Sequence, residues 1–446
     1  MQHISEHNRC AVWAAMGMGK SAAVLHALRG IGLLEQAPAL IVAPKRVARD
    51  TWPGEAGKWD TFDETIVPIM GSQTQRFQAM GRKSNFYSIN YEQIPWLVQH
   101  HGRNWPYRTI VADESTRLKG MRSLQGGKRT QALAKVAWLP QVERFIELTG
   151  TPAPNGMKDL WGQLWYLDHG ARLGRTYSAF SQRWFQRAWD GFGIEPLPFA
   201  QDQIQALIAD LCITIDPRDY IKIDQPIETD IFVDLPDKAR DLYREMEKRM
   251  FIELKHDLGT HEVEAVNAAG RTNKCLQLAN GAVYHDRERN WTEVHNAKIE
   301  ALESIVEEAN GMPVVVCYQF VSDFERIRKH FPKALGIDEI DMAGWGKGHY
   351  PMLVVHPASA GHGIDGLQYG TNIWIDFSSG WNLEHDDQAI ERIGPMRQFQ
   401  AGLERPVYRY RVMARDTVDS LVAERRSSKR SVQAILLESM KRRNLL

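Results

Sequence analysis

Five short apolar runs recur along the first half of the chain, and each gives way to glycine, proline or polar residues. They cover residues 11–13, 39–45, 85–92, 107–114 and 144–152. Helix-like stretches lie between them. Strands that alternate with helices pair in parallel, and the functional residues of such a sheet collect at the carboxyl ends of its strands. The pattern therefore predicts a parallel α/β sheet with a crevice along one edge.

The second half of the chain repeats this pattern with its own strands. The apolar runs at 314–318, 352–356 and 373–377 predict a second parallel sheet with a separate core. Residues 227–234 alternate between apolar and polar side chains, as an edge strand does. We further expect a charged helix over residues 236–250, a polar loop over 256–270, and two more helices over 274–281 and 297–302. A strand is expected over 406–413 and a final helix from residue 417 onward.

Length and composition narrow the class of protein. A chain of 446 residues exceeds one ordinary core, so two or three domains are expected. Lys+Arg and Asp+Glu both number 55, so a nucleic-acid surface would have to be a local groove. The four cysteines form no C-x-x-C pair, which argues against a disulfide framework or zinc site and fits a reducing compartment such as the cytoplasm. No apolar run reaches membrane-spanning length.

A glycine-rich loop joins the first predicted strand to the first predicted helix. Residues 14–21 are Ala-Ala-Met-Gly-Met-Gly-Lys-Ser. Backbone N–H groups in such a loop and the following helix N-terminus surround a polyphosphate, while the Lys reaches the outer phosphates and the Ser hydroxyl binds Mg²⁺. Ala14 replaces the first glycine of the usual pattern, and the alternative is a plain glycine turn. The candidate nucleotide-binding residues are Gly17, Met18, Gly19, Lys20 and Ser21.

Two adjacent carboxylates, Asp113 and Glu114, end the apolar run that begins near residue 107. Phosphoryl transfer needs Mg²⁺ opposite the phosphate loop and a group that orients water. Asp113 would hold Mg²⁺ through water, and Glu114 would polarise the attacking water. An isolated Asp-Glu pair is more often a solvated turn. The phosphate loop upstream favours the catalytic interpretation, with ATP and Mg²⁺ as the cofactors.

Several motifs in this order resemble the first-lobe motifs of superfamily-two helicases, most closely the Swi/Snf-like branch in its compact bacteriophage form. The residues that carry the resemblance are Met-Gly-Met-Gly-Lys-Ser at 16–21, Asp-Glu-Ser-Thr-Arg-Leu-Lys at 113–119 and Leu-Thr-Gly-Thr-Pro-Ala-Pro-Asn at 148–155. The resemblance implies contacts with nucleic acid by Pro44, Lys45, Asn90 and Tyr91, and coupling of the nucleotide site to the nucleic-acid groove by Thr149 and Thr151.

Two motifs in the second half resemble second-lobe motifs of the same branch. The first is the Gly-rich run at 358–368, and the second is the run at 388–398, which begins with Gln388 and resembles the arginine motif. The resemblance implies that Gly361 and Gly363 contact the nucleic-acid strand, that Asp365 approaches the ribose, and that Gln388 takes part in coupling.

The arginine motif departs from the family pattern. In the family, arginines of this motif reach the γ-phosphate and stabilise the charge of the transition state. Arg392 stands at its expected position, but Gly394 and Pro395 occupy the positions of a His and the second Arg. Either Arg392 acts alone, or Pro395 redirects the turn so that Arg397 takes the role.

The resemblance as a whole implies an α/β fold of two RecA-like parallel-sheet lobes with the nucleotide site in the cleft between them. The lobes would span residues 1–222, with a possible insertion at 170–205, and residues 223–446. The implied function is ATP hydrolysis coupled to movement along nucleic acid, DNA rather than RNA, in phage replication or recombination. The alternative is an ATP-binding switch or scaffold with weak turnover, which Pro395 keeps open.

Two other groups of residues admit more than one interpretation. Trp161, Trp165 and Tyr166 lie at helical spacing, which favours a core face over a base-stacking surface. The basic clusters at 425–430 and 441–443 either contact phosphates or form a solvated helix face.

Overall fold

The structure, a computed structural model, describes residues 1–14, 18–35, 38–122, 126–153, 156–187, 194–215, 224–258, 265–285, 290–360, 364–403 and 405–428. Contacts between Cα atoms divide the chain into two compact units, Met1–Lys222 and Ile223–Leu446. Each unit is built on its own parallel sheet. The two-sheet α/β fold predicted from the sequence is confirmed.

The strands of the first unit are β1 (Arg9–Ala14), β2 (Ala39–Ala43), β3 (Ile66–Pro68), β4 (Phe86–Asn90), β5 (Thr109–Asp113), β6 (Arg144–Thr149), β7 (Phe185–Arg187), β8 (Ile194–Pro196) and β9 (Cys212–Ile215). Seven of the described strands form a parallel sheet in the order β3-β4-β2-β5-β6-β1-β9, while β7 and β8 form a small antiparallel pair. Strands β2, β4 and β5 are buried along their whole length because helices cover both faces of the sheet.

The helices of the first unit are α1 (Gln2–Glu6), α2 (Lys20–Glu35), α3 (Trp52–Ala56), α4 (Gln73–Gly81), α5 (Ile94–His101), α6 (Lys128–Ala137), α7 (Leu160–Asp168), α8 (Tyr177–Trp184) and α9 (Ala200–Ile208). A π-helical turn, Val47–Thr51, precedes α3, and short 3₁₀ turns, Tyr91–Gln93 and Ser115–Leu118, follow β4 and β5. Trp59 lies beyond the end of α3.

Alternate residues of the strands enter two cores on opposite faces of this sheet. Ile110 belongs to the core that contains Trp161, Trp165 and Tyr166, whereas Val111 belongs to the core that contains Trp52. The three aromatic residues of α7 are buried, so the prediction of a core face is confirmed. The stretch at 170–205 also packs into the first core, through Phe180, Trp184, Phe185 and Ile204 among its described residues.

The strands of the second unit are β10 (Ile227–Val233), β11 (Ala282–Tyr284), β12 (Trp291–Glu293), β13 (Val314–Cys317), β14 (Ala334–Gly336), β15 (Met352–Val355), β16 (Ile373–Asp376) and β17 (Tyr408–Ala414). Six of them pair in parallel in the order β10-β17-β16-β13-β15-β14, and β11 pairs antiparallel with β12. Strand β10 lies at an edge of the sheet, as its alternating pattern predicts.

The helices of the second unit are α10 (Asp237–Leu258), α11 (Ala265–Asn280), α12 (Ala297–Glu308), α13 (Val321–His330), α14 (Met342–Gly346), α15 (Pro357–Ala360), α16 (Leu367–Gly370), α17 (Leu383–Ile390), α18 (Pro395–Gln400) and α19 (Val418–Ser428). The loop predicted at 256–270 is wrong for all of its described residues, 256–258 and 265–270, because α10 extends to Leu258 and α11 begins at Ala265. In the part of the chain that the structure describes, no helix is both long and apolar enough to span a bilayer.

In the predicted C-terminal basic cluster, Arg425 is buried and Arg426 is partly buried. Arg425 Nε donates a hydrogen bond to the carbonyl of Trp381 at 3.2 Å. Arg426 pairs with Asp386 at 2.6 Å and lies 3.7 Å from Asp376, so it ties α19 to α17 and β16. Both proposed roles, phosphate contact and solvated face, are therefore wrong for these two residues. The rest of the cluster, and the cluster at 441–443, fall outside the residues described by side chain.

Candidate nucleotide and nucleic-acid site

The candidate residues of the first unit come from the carboxyl ends of neighbouring strands. In the sheet register, Trp13 at the end of β1 pairs with Thr149, Asp113 pairs with Leu148, and Ala43 pairs with Asn90. The ends of β1, β6, β5, β2 and β4 therefore follow one another along a single edge. This edge brings together the phosphate loop, the two carboxylates and the segments predicted to contact nucleic acid.

The phosphate loop leads directly into helix α2. Gly19 has φ of +68°, a left-handed conformation that glycine adopts at little cost. Lys20 begins α2, and its Nζ donates a hydrogen bond to the carbonyl of Ala14 at 2.5 Å. Ser21 follows in the first turn, and Met18 packs against the core that contains Trp52. Gly17 lies outside the described residues.

The two carboxylates at the end of β5 have different surroundings. Asp113 is 9% exposed, and its Oδ2 accepts a hydrogen bond from Trp52 Nε1 at 2.8 Å while its Oδ1 accepts one from the backbone N–H of Glu114 at 3.1 Å. Glu114 has φ of 56° and ψ of 57°. This left-handed conformation is uncommon for residues other than glycine and is concentrated at functional sites.

The oxygen atoms on this edge suit Mg²⁺. Magnesium binds proteins through one or two carboxylates or hydroxyls and completes its shell with water and substrate phosphates. Ser21 and Asp113 supply a hydroxyl and a carboxylate. Among the described residues, no three or more His, Cys, Asp or Glu side chains lie together as a metal site made of protein ligands alone. The donor set thus fits a magnesium ion that arrives with a nucleotide.

A side chain that the sequence analysis missed joins the coupling motif to the carboxylates. Thr149 is fully buried, and its Oγ1 accepts a hydrogen bond from Thr151 N at 3.1 Å. Gln163 donates to the carbonyl of Pro152 at 2.7 Å and accepts from Ser115 Oγ at 2.9 Å. Because Ser115 follows Glu114, this buried amide connects the Thr-Gly-Thr-Pro turn with the catalytic candidate. A Gln in an otherwise apolar helix, 160–167, was the available signal.

The residues predicted to contact nucleic acid differ in exposure. Lys45 is exposed and Pro44 is buried at the end of β2. Asn90 and Tyr91 are only 4% and 2% exposed. Asn90 donates to Glu92 at 2.7 Å, and the Tyr91 hydroxyl donates to the carbonyl of Asp113 at 2.8 Å. The side chains of Asn90 and Tyr91 are thus bonded to Glu92 and to Asp113, and contact of nucleic acid with the segment that carries them stays a prediction.

In the second unit, both candidate arginines contact the same short segment. Arg392 Nη1 donates to the carbonyl of Ile364 at 3.1 Å, and Arg397 forms an ion pair with Asp365 at 3.0 Å. Pro395 is the first residue of α18, a position that its fixed φ and missing N–H suit. Gln388 is buried in α17. Gly361 and Gly363 lie outside the described residues.

Glu147 carries a buried carboxyl within the mostly apolar strand β6. It is fully buried, between Ala11 of β1 and Ala112 of β5 in the register. Neither carboxyl oxygen has a hydrogen-bond partner among the described residues. Burial raises the pKa of Glu147 well above its usual value.

We expect Glu147→Gln to remove a pH dependence of stability. Above the ordinary glutamate pKa the unfolded chain loses this proton and the folded chain keeps it, so the free energy of unfolding falls by up to about 1.4 kcal/mol per pH unit. The variant lacks this slope. Urea unfolding at pH 5 and pH 8 measures it, with exposed Glu143, which pairs with Arg108, as the control position for the same substitution. An equal effect of Glu147→Gln at both pH values would contradict the assignment.

The sequence of this chain is similar to those of several known proteins. Residues 5–286 match the model of the SNF2-related domain. The chain is 50% identical over 455 residues to protein p41 of Acyrthosiphon pisum secondary endosymbiont phage 1, covering 99% of this chain and 97% of that protein. It is 22% identical to the ISWI chromatin-remodeling complex ATPase ISW2 of Saccharomyces cerevisiae and 24% identical to the chromodomain-helicase-DNA-binding protein 7 of Gallus gallus.

The extent of these matches differs. The matches to ISW2 and to the chromodomain protein cover 95% and 97% of this chain, but they cover only 38% and 15% of those two proteins. Among solved structures, the SWI2/SNF2 ATPase core of Sulfolobus solfataricus aligns at 19% identity and a TM-score of 0.40, over 97% of this chain and 87% of that chain. The family model matches more than half of the residues. The chain therefore belongs to the SNF2-related family, in the Swi/Snf-like branch of the superfamily-two helicases and translocases, which are nucleic-acid-dependent ATPases.

Proposed function

We propose that this protein hydrolyses ATP with Mg²⁺ and uses the reaction to move along DNA. The observation that carries the proposal is the arrangement around Asp113. Its carboxylate and its carbonyl accept hydrogen bonds from Trp52 and Tyr91, which adjoin the two segments proposed to hold nucleic acid. A site for phosphoryl transfer and a surface for a polynucleotide would thus share side chains.

Each group of residues at the strand ends would have its own part in the hydrolysis of ATP. The backbone after β1, the N-terminus of α2 and Lys20 would hold the phosphates. Ser21 and Asp113 would hold Mg²⁺, which neutralises charge on the phosphate oxygens when bound. Glu114 would accept a hydrogen bond from the attacking water and orient it. We expect an arginine of the second unit to stabilise the charge that develops on the γ-phosphate.

Two features of the relatives support DNA as the track and a phage setting. The chromodomain relative is named a DNA-binding protein, and ISW2 is named a chromatin-remodeling ATPase. The relative that shares half of its residues with this chain is encoded by a phage. On this basis we assign the protein to phage DNA replication or recombination, with DNA preferred over RNA.

The deciding experiment measures steady-state ATP hydrolysis alone and with single-stranded DNA, duplex DNA and RNA. We expect DNA to stimulate hydrolysis most strongly. Lys20→Ala should lower the stimulated rate by about 100-fold or more, because the ammonium contacts phosphate charge as it develops in the transition state. Lys83→Ala, which alters an exposed lysine before β4, is the matched control and should retain the wild-type rate.

The alternative is a nucleotide-dependent switch or scaffold. Two observations on the second unit favour this alternative. Pro395 begins a separate helix, α18, within the arginine motif, and Arg397 forms an ion pair with Asp365. A slow rate that no polynucleotide changes, together with tight ATP binding that Lys20→Ala weakens, would favour this function over the motor.

A further inference from the structure

We infer that Trp52 and Tyr91 are positioning residues for the magnesium carboxylate Asp113, and that they connect it mechanically to the DNA-binding segments. The inference rests on the proposed function. Neither side chain is exposed, and neither is placed to touch DNA or nucleotide directly. Their role follows from the atoms to which they donate and from the segments that carry them.

Trp52 fixes the carboxylate of Asp113. The indole is fully buried, and its Nε1 lies 2.8 Å from Asp113 Oδ2. The other carboxylate oxygen accepts the backbone N–H of Glu114 at 3.1 Å. Both carboxylate oxygens are therefore held in direction. Hydrogen bonds of this kind orient a ligand and tune its affinity for metal.

A continuous helical segment joins Trp52 to the exposed Lys45. The segment begins where Ala48 N donates to the carbonyl of Pro44 at 2.8 Å. It passes through the π-helical turn Val47–Thr51, whose last hydrogen bond runs from Trp52 N to the carbonyl of Val47. Single π-helical turns are rare and are frequent at functional sites. A phosphate bound at Lys45 would move this segment and, with it, the indole that holds Asp113.

A buried hydrogen bond attaches this segment to the sheet. Ser88 Oγ of β4 donates to the carbonyl of Ala48 at 2.6 Å, and both groups are buried. The attachment lies between Lys45 and Trp52 in the sequence. The segment is thus anchored near its middle, with a proposed phosphate contact at one end and the metal carboxylate at the other.

Tyr91 reaches Asp113 from the segment after β4, the strand that lies beyond β2 in the sheet. It begins the 3₁₀ turn after β4, and its hydroxyl donates to the Asp113 carbonyl at 2.8 Å. The guanidinium of Arg117 lies 5.9 Å from the Tyr91 ring. Asp113 is therefore held at its side chain and at its backbone by different segments.

The same unit supplies matched controls for both side chains. Trp161 Nε1 donates to the carbonyl of Gly174 at 2.8 Å, and Tyr166 donates to the carbonyl of Thr130 at 2.7 Å. Both rings are buried, and neither donates to Asp113. Trp161→Phe and Tyr166→Phe therefore remove one buried hydrogen bond each without releasing the metal carboxylate.

The first experiment compares Trp52→Phe with Trp161→Phe by electron paramagnetic resonance of Mn²⁺ titrated in the presence of ADP. We expect Trp52→Phe to weaken metal binding by about tenfold or more, with ADP affinity in EDTA unchanged. Trp161→Phe should bind Mn²⁺ as the wild type does. If Trp52→Phe does not fold, benzothienylalanine at position 52, which replaces only the indole N–H by sulfur, carries the same expectation.

The second experiment compares Tyr91→Phe with Tyr166→Phe in DNA-stimulated hydrolysis. Tyr91→Phe should lower the ratio of stimulated to unstimulated kcat several-fold, and Tyr166→Phe should leave that ratio unchanged. Wild-type metal binding by Trp52→Phe and a wild-type ratio in Tyr91→Phe would overturn the inference, as would equal losses in the controls. If Lys20→Ala retains stimulated hydrolysis, the proposed function itself has failed, and the two failures are thereby distinguished.

Discussion

Replacing Glu114 by Gln lowers DNA-stimulated ATP hydrolysis by about 10²–10⁴-fold, the usual contribution of a positioned general base. The amide keeps the size of the side chain but cannot accept the proton of the attacking water. ATP binding should persist, because the phosphate contacts come from the loop after β1 and from α2. Single-turnover hydrolysis, together with an independent measurement of ATP affinity, separates these two effects.

The left-handed backbone at position 114 provides a second variant that separates conformation from chemistry. Glu114 has φ of 56°, whereas glycine adopts such values freely. Glu114→Gly should therefore lose as much activity as Glu114→Gln while gaining about 1 kcal/mol in the free energy of unfolding from relieved strain. Glu143→Gln, at an exposed glutamate, is the control. Retention of hydrolysis in Glu114→Gly would show that another group activates the water.

Replacing Arg392 by Ala lowers stimulated hydrolysis by about 10³-fold or more, the range expected for an arginine that reaches the γ-phosphate. Arg397→Ala should cost less than tenfold. Arg392 holds the expected motif position, and its Nη1 donates one hydrogen bond to the carbonyl of Ile364. Arg397 stands outside that position and forms an ion pair with Asp365 at 3.0 Å. Parallel kcat measurements on the two variants decide between them.

Asp365→Asn tests whether Arg397 is restrained by its partner. The substitution removes the charge of Asp365 and leaves a side chain of the same size. If Arg392 carries the role, Asp365→Asn should leave the loss in Arg392→Ala unchanged. The opposite ranking, with Arg397→Ala as the severe variant, would mean that the turn at Pro395 has transferred the role to Arg397.

Local patterns were enough to predict both sheets and most of the phosphate site. Strands such as β2 and β5 are continuous apolar runs, and the residues after them are the ones that line the edge. Asp113 and Lys20 were found this way because a carboxylate at the end of a strand, or a lysine where the following loop enters a helix, stays near that strand end in a parallel sheet. Burial of the α7 aromatics followed from their helical spacing.

Contacts between distant parts of the chain could not be obtained from these patterns. The hydrogen bond from Trp52 to Asp113 joins residues 61 apart, and the one from Tyr91 to Asp113 joins residues 22 apart. Such pairs depend on the strand order β4-β2-β5, which periodicity does not encode. Arg426 was misassigned for the same reason, since its partners Asp376 and Asp386 lie on other elements.

The sequence alone thus determined the fold class, the family and the residues that follow each strand, because these depend on side-chain type and spacing along the chain. Only the tertiary structure decided which polar groups face the interior and what they hold. Burial places Tyr91 where its hydroxyl donates to the carbonyl of Asp113, and it raises the pKa of Glu147, which lies between two alanines. The physical reason is that hydrogen bonding and desolvation depend on neighbours in space, and the packing of the sheets supplies those neighbours.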